Sequence, residues 1–350
     1  MHILIATDTW HPQVNGVLRS ILSTAEAARR MGVTVSFLNY EGLRTVPLPN
    51  YREIRLAVPR PAEIAERIEA ARPDFIHIAT EATIGHLVRR HCVARGIPFT
   101  TSFHTRLPEY VSMRLPVPER WAWHYLRRFH GAAEAVMTAT PALADELTAR
   151  GFSNVMVSPL GVDTELFHPN YDLDLNLPRP IFLFAGRVAV EKNIEAFLKL
   201  DLPGTKLVAG DGPLRASLQA RYPDAIFLGM RHGRDLAAIY AAADVFVFPS
   251  LTDTFGLVML EALASGLPVA AFPVTGPRDV LGDALGNAPV GVLDQDLRKA
   301  CLAALSIPRA ACRAFALERN WDEAARIFVA NIERAHCRAP MLDTLTPKAA

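Results

Sequence analysis

From end to end the chain alternates short, apolar, β-rich runs with longer stretches of helical apolar spacing, and few folds accommodate that alternation. In the first half the runs are HILIAT, VTVSFLN, FIHIAT, FTTSF and AVMTA. In the second they are IFLFAG, KLVAG, AIFLG, DVFVF and PVAAF. Between them lie segments such as GVLRSILSTAEAARRMG, where Val17, Leu18, Ile21, Leu22 and Ala25 recur at helical spacing, and TIGHLVRRHCVARG. Strands this short and apolar are buried strands of parallel sheets with helices on both faces. The chain therefore reads as α/β, with two similar Rossmann-like halves in series, and its 350 residues are comfortable for two domains.

Half of the residues are hydrophobic and 21% are charged, which excludes disorder for most of the chain. A formal charge of +1 argues against a nucleic-acid binder held by bulk electrostatics. Cys92, Cys301, Cys312 and Cys337 show neither CxxC spacing nor clustering, so reduced thiols and no zinc site are expected. No basic leader and no run of eighteen apolar residues is present, and the expected localisation is cytoplasmic. FHPNYDLDLNLPRP, residues 167–180, is Pro-rich and polar and reads as the linker. Its Asp172 and Asp174 form a DxD, but they precede a strand instead of closing one, so a structural role is expected. Residues 338–350 carry no periodic pattern and read as a tail.

Ligands of Rossmann-like halves lie at the carboxyl ends of the strands, so the residues after each strand matter most. After DVFVFPS come Asp253 on a loop and Glu261 on the helix LVMLEALASG. On one continuous helix they would be about 12 Å apart and turned roughly 80° from each other, so they would touch two ends of one long ligand and share no metal. Phe255, Gly256 and Leu257 fall at the strand-to-helix turn, where unpaired N–H groups and the helix dipole favour an anion such as a diphosphate. After IFLFAG, Gly186 is followed by Arg187, and Lys192 stands five residues further on. Lys192 is the first lysine of the chain. Together the two cations would stabilise a leaving diphosphate. After KLVAG, Gly210, Gly212 and Pro213 read as turn residues. In the first half, Asn15 and Gly16 stand at a helix start, read equally well as a cap or as a backbone approach to phosphate. His104 ends the run FTTSF, where a side chain would face a ligand.

GRVAVEKN, TDTFGLVMLEALASG and GVDTELFHP together resemble retaining glycosyltransferases of family 4, with the two-domain GT-B fold whose halves face a central cleft. The resemblance runs from His2 to about Ile332. It implies that Glu261 binds the nucleotide ribose, Asp253 the donor sugar, and Arg187 and Lys192 the diphosphate. It further implies that the loop at Gly16 lies over the diphosphate, that His104 lies beside the transferred sugar, and that Gly229 and Met230 mark where the base is read. No cofactor or metal is implied. One departure is Asp253, where the family usually has glutamate. The implied division is an acceptor-binding domain over 1–166, the linker, a nucleotide-sugar-binding domain over 181–319, and a helix over 320–337 crossing back to the first half.

Between His86 and His130 eight arginines face two glutamates, a local charge of +6 with histidines neutral. VPERWAWHYLRRFHG adds Trp121 and Trp123 beside Arg127 and Arg128. Mixtures of aromatics and arginines suit an anionic lipid surface, each charge being worth about 1 kcal/mol there. The alternative is an amphipathic helix with its aromatics packed inward. ATDTWHPQVNGV and NWDEAARIF are similar to the branch making glucuronosyl-, sulfoquinovosyl- and related glycosyl-diacylglycerols, with guanosine-dependent lipid mannosyltransferases close by. The expectation is a peripheral enzyme at the inner face of the cell membrane that moves a hexose or hexuronic acid from a nucleoside-diphosphate sugar, UDP-sugars favoured, to a lipid hydroxyl such as that of diacylglycerol. GDP-mannose as donor, a soluble glycan as acceptor, and a non-catalytic binding protein are the alternatives.

Overall fold

Every run expected to be a strand is one, and each sheet gains one further edge strand of three residues. The computed structural model describes residues 1–13, 15–48, 51–104, 106, 118–253, 255–282 and 289–338. It divides into two units, Met1–Pro159 with the chain from Ala324 onward, and Leu160–Glu323.

In the first unit the elements follow as β1 (His2–Ala6), α1 (Gly16–Arg30), β2 (Thr34–Leu38), the hairpin β3 (Thr45–Leu48) and β4 (Tyr51–Ala57), α2 (Pro61–Ala71), β5 (Phe75–Ile78), α3 (Thr83–Arg95), β6 (Phe99–Ser102), α4 (Glu119–His130), β7 (Ala135–Thr138), α5 (Pro141–Ala149) and β8 (Val155–Val157). The sheet is parallel, in the order β2-β1-β5-β6-β7-β8. In the second unit come β9 (Ile181–Ala185), a 3-10 turn at Val190–Lys192, α6 (Ile194–Leu198), β10 (Thr205–Ala209), α7 (Arg215–Arg221), β11 (Ile226–Gly229), α8 (Gly233–Ala242), β12 (Val245–Phe248), α9 (Leu257–Ala264), β13 (Val269–Ala271), α10 (Thr275–Leu281), β14 (Gly291–Leu293), α11 (Leu297–Ala304) and α12 (Arg309–Leu317). This sheet is also parallel, in the order β11-β10-β9-β12-β13-β14. α13 (Trp321–Arg338) closes the described chain.

Central strands are buried on both faces, as their unbroken apolar sequences require. All five residues of β9 and all four of β12 are buried, each phenylalanine contributing about 1.5–3 kcal/mol. The edge strands β8, β11 and β14 are mostly half-buried. From Ala324 on, α13 packs with the first unit. Phe328 lies edge-on to His77, Phe75 edge-on to His336, and Asn331 Nδ2 donates to Val157 O at 2.8 Å.

The linker expected over 167–180 is only partly one. Phe167 is fully buried edge-on to Tyr240, and Arg313 Nη1 donates to the carbonyls of Phe167 and Ala264 while Nη2 donates to that of Thr164. A guanidinium serving three carbonyls fixes the start of this segment to the second unit, whereas Asp172, Leu173 and Asp174 are exposed. Asp174 accepts from the backbone of Asn176, an ordinary turn contact. Among the described residues no cluster of His, Cys, Asp and Glu is arranged to hold a metal.

Candidate active site

Strand order locates the crevice in each sheet. In the second, strand order reverses between β9 and β12, and the loops leaving these strands are stitched together. Asn193 takes a left-handed backbone, φ +49°, and its Nδ2 donates to Pro249 O at 3.0 Å. Ser250 Oγ donates to Glu191 O at 3.3 Å. These bonds bring Lys192, the last residue of the 3-10 turn, to Asp253, sixty-one positions later in sequence, with Nζ 2.6 Å from Oδ1. The other Asp253 oxygen is buried with no hydrogen-bond partner among the described residues.

On the same side, the β9 and β10 loops touch backbone to backbone. Val188 N donates to Asp211 O and Leu214 N to Val188 O, at 2.9 and 3.1 Å. A Cβ on Gly210 would fall 1.8 Å from Gly186 O, so only glycine permits the contact that holds Gly186 and half-buried Arg187 at the strand end. Helix α9 begins at Leu257 behind Gly256, whose φ is +90° and which supplies no side-chain cap. Its cap residue thus offers no side-chain acceptor, a condition that favours an anion at a helix start. Phe255 is buried beside it, and Glu261, 3% exposed, lies about one turn along α9. At β11, Gly229 has φ +77° and faces the Arg215 guanidinium, which pairs with Asp211 at 2.9 Å, while Met230 is exposed. Arg215 was not expected from the sequence, since DGPLRASL reads as turn chemistry.

In the first unit strand order reverses between β1 and β5, and there the crevice is filled from within. Asp8, two residues past β1, accepts from Thr83 Oγ1 and Ile84 N on one oxygen and from Thr80 Oγ1 and Gly85 N on the other, at 2.8 to 3.2 Å. Burial pushes its carboxyl above the usual range while these four donors pull it down. Gly16 is the first residue of α1, and Asn15 caps that helix through Leu18 N at 2.9 Å. His104, two residues past β6, is half-buried, and burial holds its imidazole below the usual value against the opposing charge of Glu81. Arg106 forms a two-point contact with Glu146 at 2.6 and 3.2 Å.

The aromatic helix α4 divides. Trp121 is 64% exposed, together with Arg120, Arg127 and Arg128. Trp123 is 5% exposed, stacked parallel on Phe103 with the Arg150 guanidinium 4.0 Å from its ring. The expectation that Trp123 meets a lipid surface is therefore corrected. Two residues along a helix amount to about 200° of rotation, so Trp121 and Trp123 take opposite faces. Glu109, Arg114 and the tail over 339–350 lie outside the described residues. Among the described residues no single helix is long and apolar enough to cross a membrane.

Asp8 and Glu81 escaped the sequence reading, although a signal was present. HILIAT is followed by Asp8 and FIHIAT by Glu81, an acid at the same place after two strands that share the ending IAT.

Residues 14–166 match the family described as Glycosyltransferase Family 4, and residues 179–306 match Glycosyl transferases group 1. The chain is 32% identical over 312 residues to a GDP-mannose-dependent alpha-mannosyltransferase of Mycobacterium tuberculosis, covering 80% of this chain and 81% of the relative. It is 26% identical over 346 residues to the alpha-monoglucosyldiacylglycerol synthase of Streptococcus pneumoniae, covering 87% and 78%. Among solved structures, sucrose-phosphate synthase from Thermosynechococcus elongatus shares the fold with a TM-score of 0.77 at 20% identity, over 96% of this chain and 99% of that one.

Proposed function

Since this chain belongs to glycosyltransferase family 4 and is a glycosyltransferase, we propose that it transfers a hexosyl group, with retained configuration, from a nucleoside-diphosphate sugar to the hydroxyl of a membrane lipid. The observation that carries the donor half is the pairing of Lys192 with Asp253 on the loops leaving β9 and β12, the point where the strand order of the second sheet reverses. In this reading the diphosphate sits at the N–H groups of α9 and draws the Lys192 ammonium and the Arg187 guanidinium. Asp253 accepts from hydroxyls of the sugar, and Glu261 accepts from those of the ribose. Gly229 and Met230 border the base.

The acceptor hydroxyl attacks the anomeric carbon on the face the diphosphate leaves, the bond to the diphosphate oxygen breaks, and that oxygen takes the hydroxyl proton. Charge developing on the leaving group is met by Lys192, Arg187 and the helix start. No metal is assigned a role.

GDP-mannose takes precedence over the UDP-sugars favoured by the sequence, because the mycobacterial relative is named for it over most of both chains. A diacylglycerol-type acceptor at the cytoplasmic face of the membrane is supported by the name of the pneumococcal relative and by the exposed Trp121 with its arginines.

Two assays test this. Melting curves with GDP, UDP, GDP-mannose and UDP-glucose, each with and without EDTA, should show a rise for the guanosine pair alone that EDTA leaves unchanged. Flotation on vesicles rich in anionic lipid should carry the protein, and Trp121→Ala should weaken it. Stabilisation by UDP-glucose alone would return the donor to the UDP class, and failure to float would transfer the acceptor to a soluble glycan.

A further inference from the structure

On the loop beside that of His104 the first unit holds a half-buried acid, and behind it a buried histidine, that neither the donor site nor the acceptor surface uses. The register of β5 and β6 pairs Ile78 with Thr101, so Glu81 and His104, each three residues further on, leave neighbouring strands at the same level. Glu81 stands on a rigid loop. Asp8 holds Thr80 at one side, Tyr125 Oη donates to Glu81 O at 2.7 Å, and a Cβ on Gly85 would fall 2.0 Å from Thr80 O.

Behind it lies His130, fully buried. Its Nδ1 is 2.9 Å from Thr101 Oγ1, and its Nε2 faces the acid. Nε2 is 3.2 Å from Glu81 Oε1 but off the line of a hydrogen bond, and both atoms are buried without a hydrogen-bond partner among the described residues. A buried carboxylate oxygen and a buried ring nitrogen left in this state are a cost that a fold tolerates where the groups serve a site.

We infer that Glu81 is a positioning residue for the transfer reaction, its carboxylate set 3.2 Å from His130 on the loop beside that of His104 so that it orients the imidazole that His104 offers to the reacting sugar. The inference rests on the proposed glycosyl transfer for its reaction, and on the strand register and the approach of Glu81 to His130 for the placement of the acid. Groups facing His104 are Glu81 and His130, with His77 on β5; Tyr125 and Asp8 act on the Glu81 loop. Glu81 favours the charged imidazole and burial opposes it.

The test compares the full-length parent with Glu81→Gln and Glu81→Asp. Imidazole proton NMR, with His104 assigned through His104→Gln, reports the coupling without any donor. The expected result is a His104 midpoint lower in Glu81→Gln and closer to the parent in Glu81→Asp. In transfer assays Glu81→Gln should lower kcat about tenfold with the donor KM unchanged, and Glu81→Asp should recover part of the loss. An unmoved His104 midpoint in a folded Glu81→Gln would overturn the inference, as would equal losses in both variants. A parent that binds and turns over no nucleotide sugar would instead remove the reaction, and the NMR result would stand apart from it.

Discussion

Each sheet has six parallel strands, and the two differ at the crevice where strand order reverses. In the second, the helix that starts there, α9, has no side-chain cap, and a lysine and an arginine stand at the loop ends. In the first, the corresponding helix α3 has its leading N–H groups taken by Asp8, which also binds two threonine hydroxyls. A carboxylate built into the chain occupies the place that a ligand anion takes in an open crevice. In the proposed reading the ligand-facing residue of the first sheet is instead His104, one strand along at the end of β6. A shared reversal of strand order does not make equivalent sites; what matters is whether the helix start is already satisfied.

The largest expected effect breaks the open crevice. Lys192→Ala should lower transfer by about 10³-fold, the range for removing one donor to a developing anion, measured as kcat with the preferred nucleotide sugar. Lys192→Arg should recover only part, since a planar fork does not reproduce a compact ammonium 2.6 Å from Asp253. A loss under tenfold would mean that the pair serves the fold and that the crevice binds no diphosphate.

The closed crevice is broken by Asp8→Ala. Two amides and two hydroxyls lose their acceptor, and a cost of roughly 3 kcal/mol in urea unfolding is expected. If Asp8 is an internal anion, sulfate should restore more stability to the variant than it adds to the parent. Equal sulfate effects on both would show that the comparison of the two helix starts does not hold.

Much of this arrangement was legible in the sequence, for identifiable reasons. Buried parallel strands need unbroken apolar runs, and those runs are visible without a partner. The strands that escaped are of another kind: β8 and β14 are three-residue edges, and β3–β4 is a hairpin whose Pro47 and charged residues read as loop. Lys192 and Asp253 could be nominated singly because each follows a strand, but their pairing needs β9 beside β12, which no local pattern encodes. Trp123 was misassigned for a reason already present in the sequence, since side chains two apart on a helix cannot share a face. Asp8 and Glu81 repeat one position after two similar strands, a signal easily read as turn polarity.

Acid sharpens the comparison further, because the first sheet carries a buried histidine where the second carries an ion pair. His77 bridges Thr100 and Ser102 at 2.8 and 2.9 Å, and burial, helped by the charge of His104, brings its imidazole from 6.5 down to about 3. A histidine depressed in the folded state contributes stability that is complete above about pH 6.5 and is lost as the pH falls toward 3. Between pH 7 and pH 4.5 this site should cost about 3 kcal/mol, the two units of titration below 6.5. His77→Gln, able to keep both hydroxyl contacts, should flatten that slope in unfolding measured at the two pH values. An unchanged slope would place the acid sensitivity elsewhere.

The smallest effect concerns how His104 is held. Two residues after it, Arg106 grips Glu146, which also receives Arg150 Nε at 3.0 Å, and the Arg150 guanidinium covers Trp123. Burial pushes the Glu146 carboxyl up, but the two arginines outweigh it and hold it below the usual 4.5. For a depressed acid the stabilisation is present above that value and lost as the pH falls through the folded one. Glu146→Gln should therefore cost about 0.5–1 kcal/mol at pH 7, the scale of a partly exposed pair, with the difference from the parent closing on acidification. Donor affinity should not change, because the residues proposed to hold the donor all belong to the second unit. A cost at pH 7 equal to that of Asp8→Ala would show that the first site depends as much on its rim as on its filled crevice, and the contrast between the two sheets would then rest on Lys192 alone.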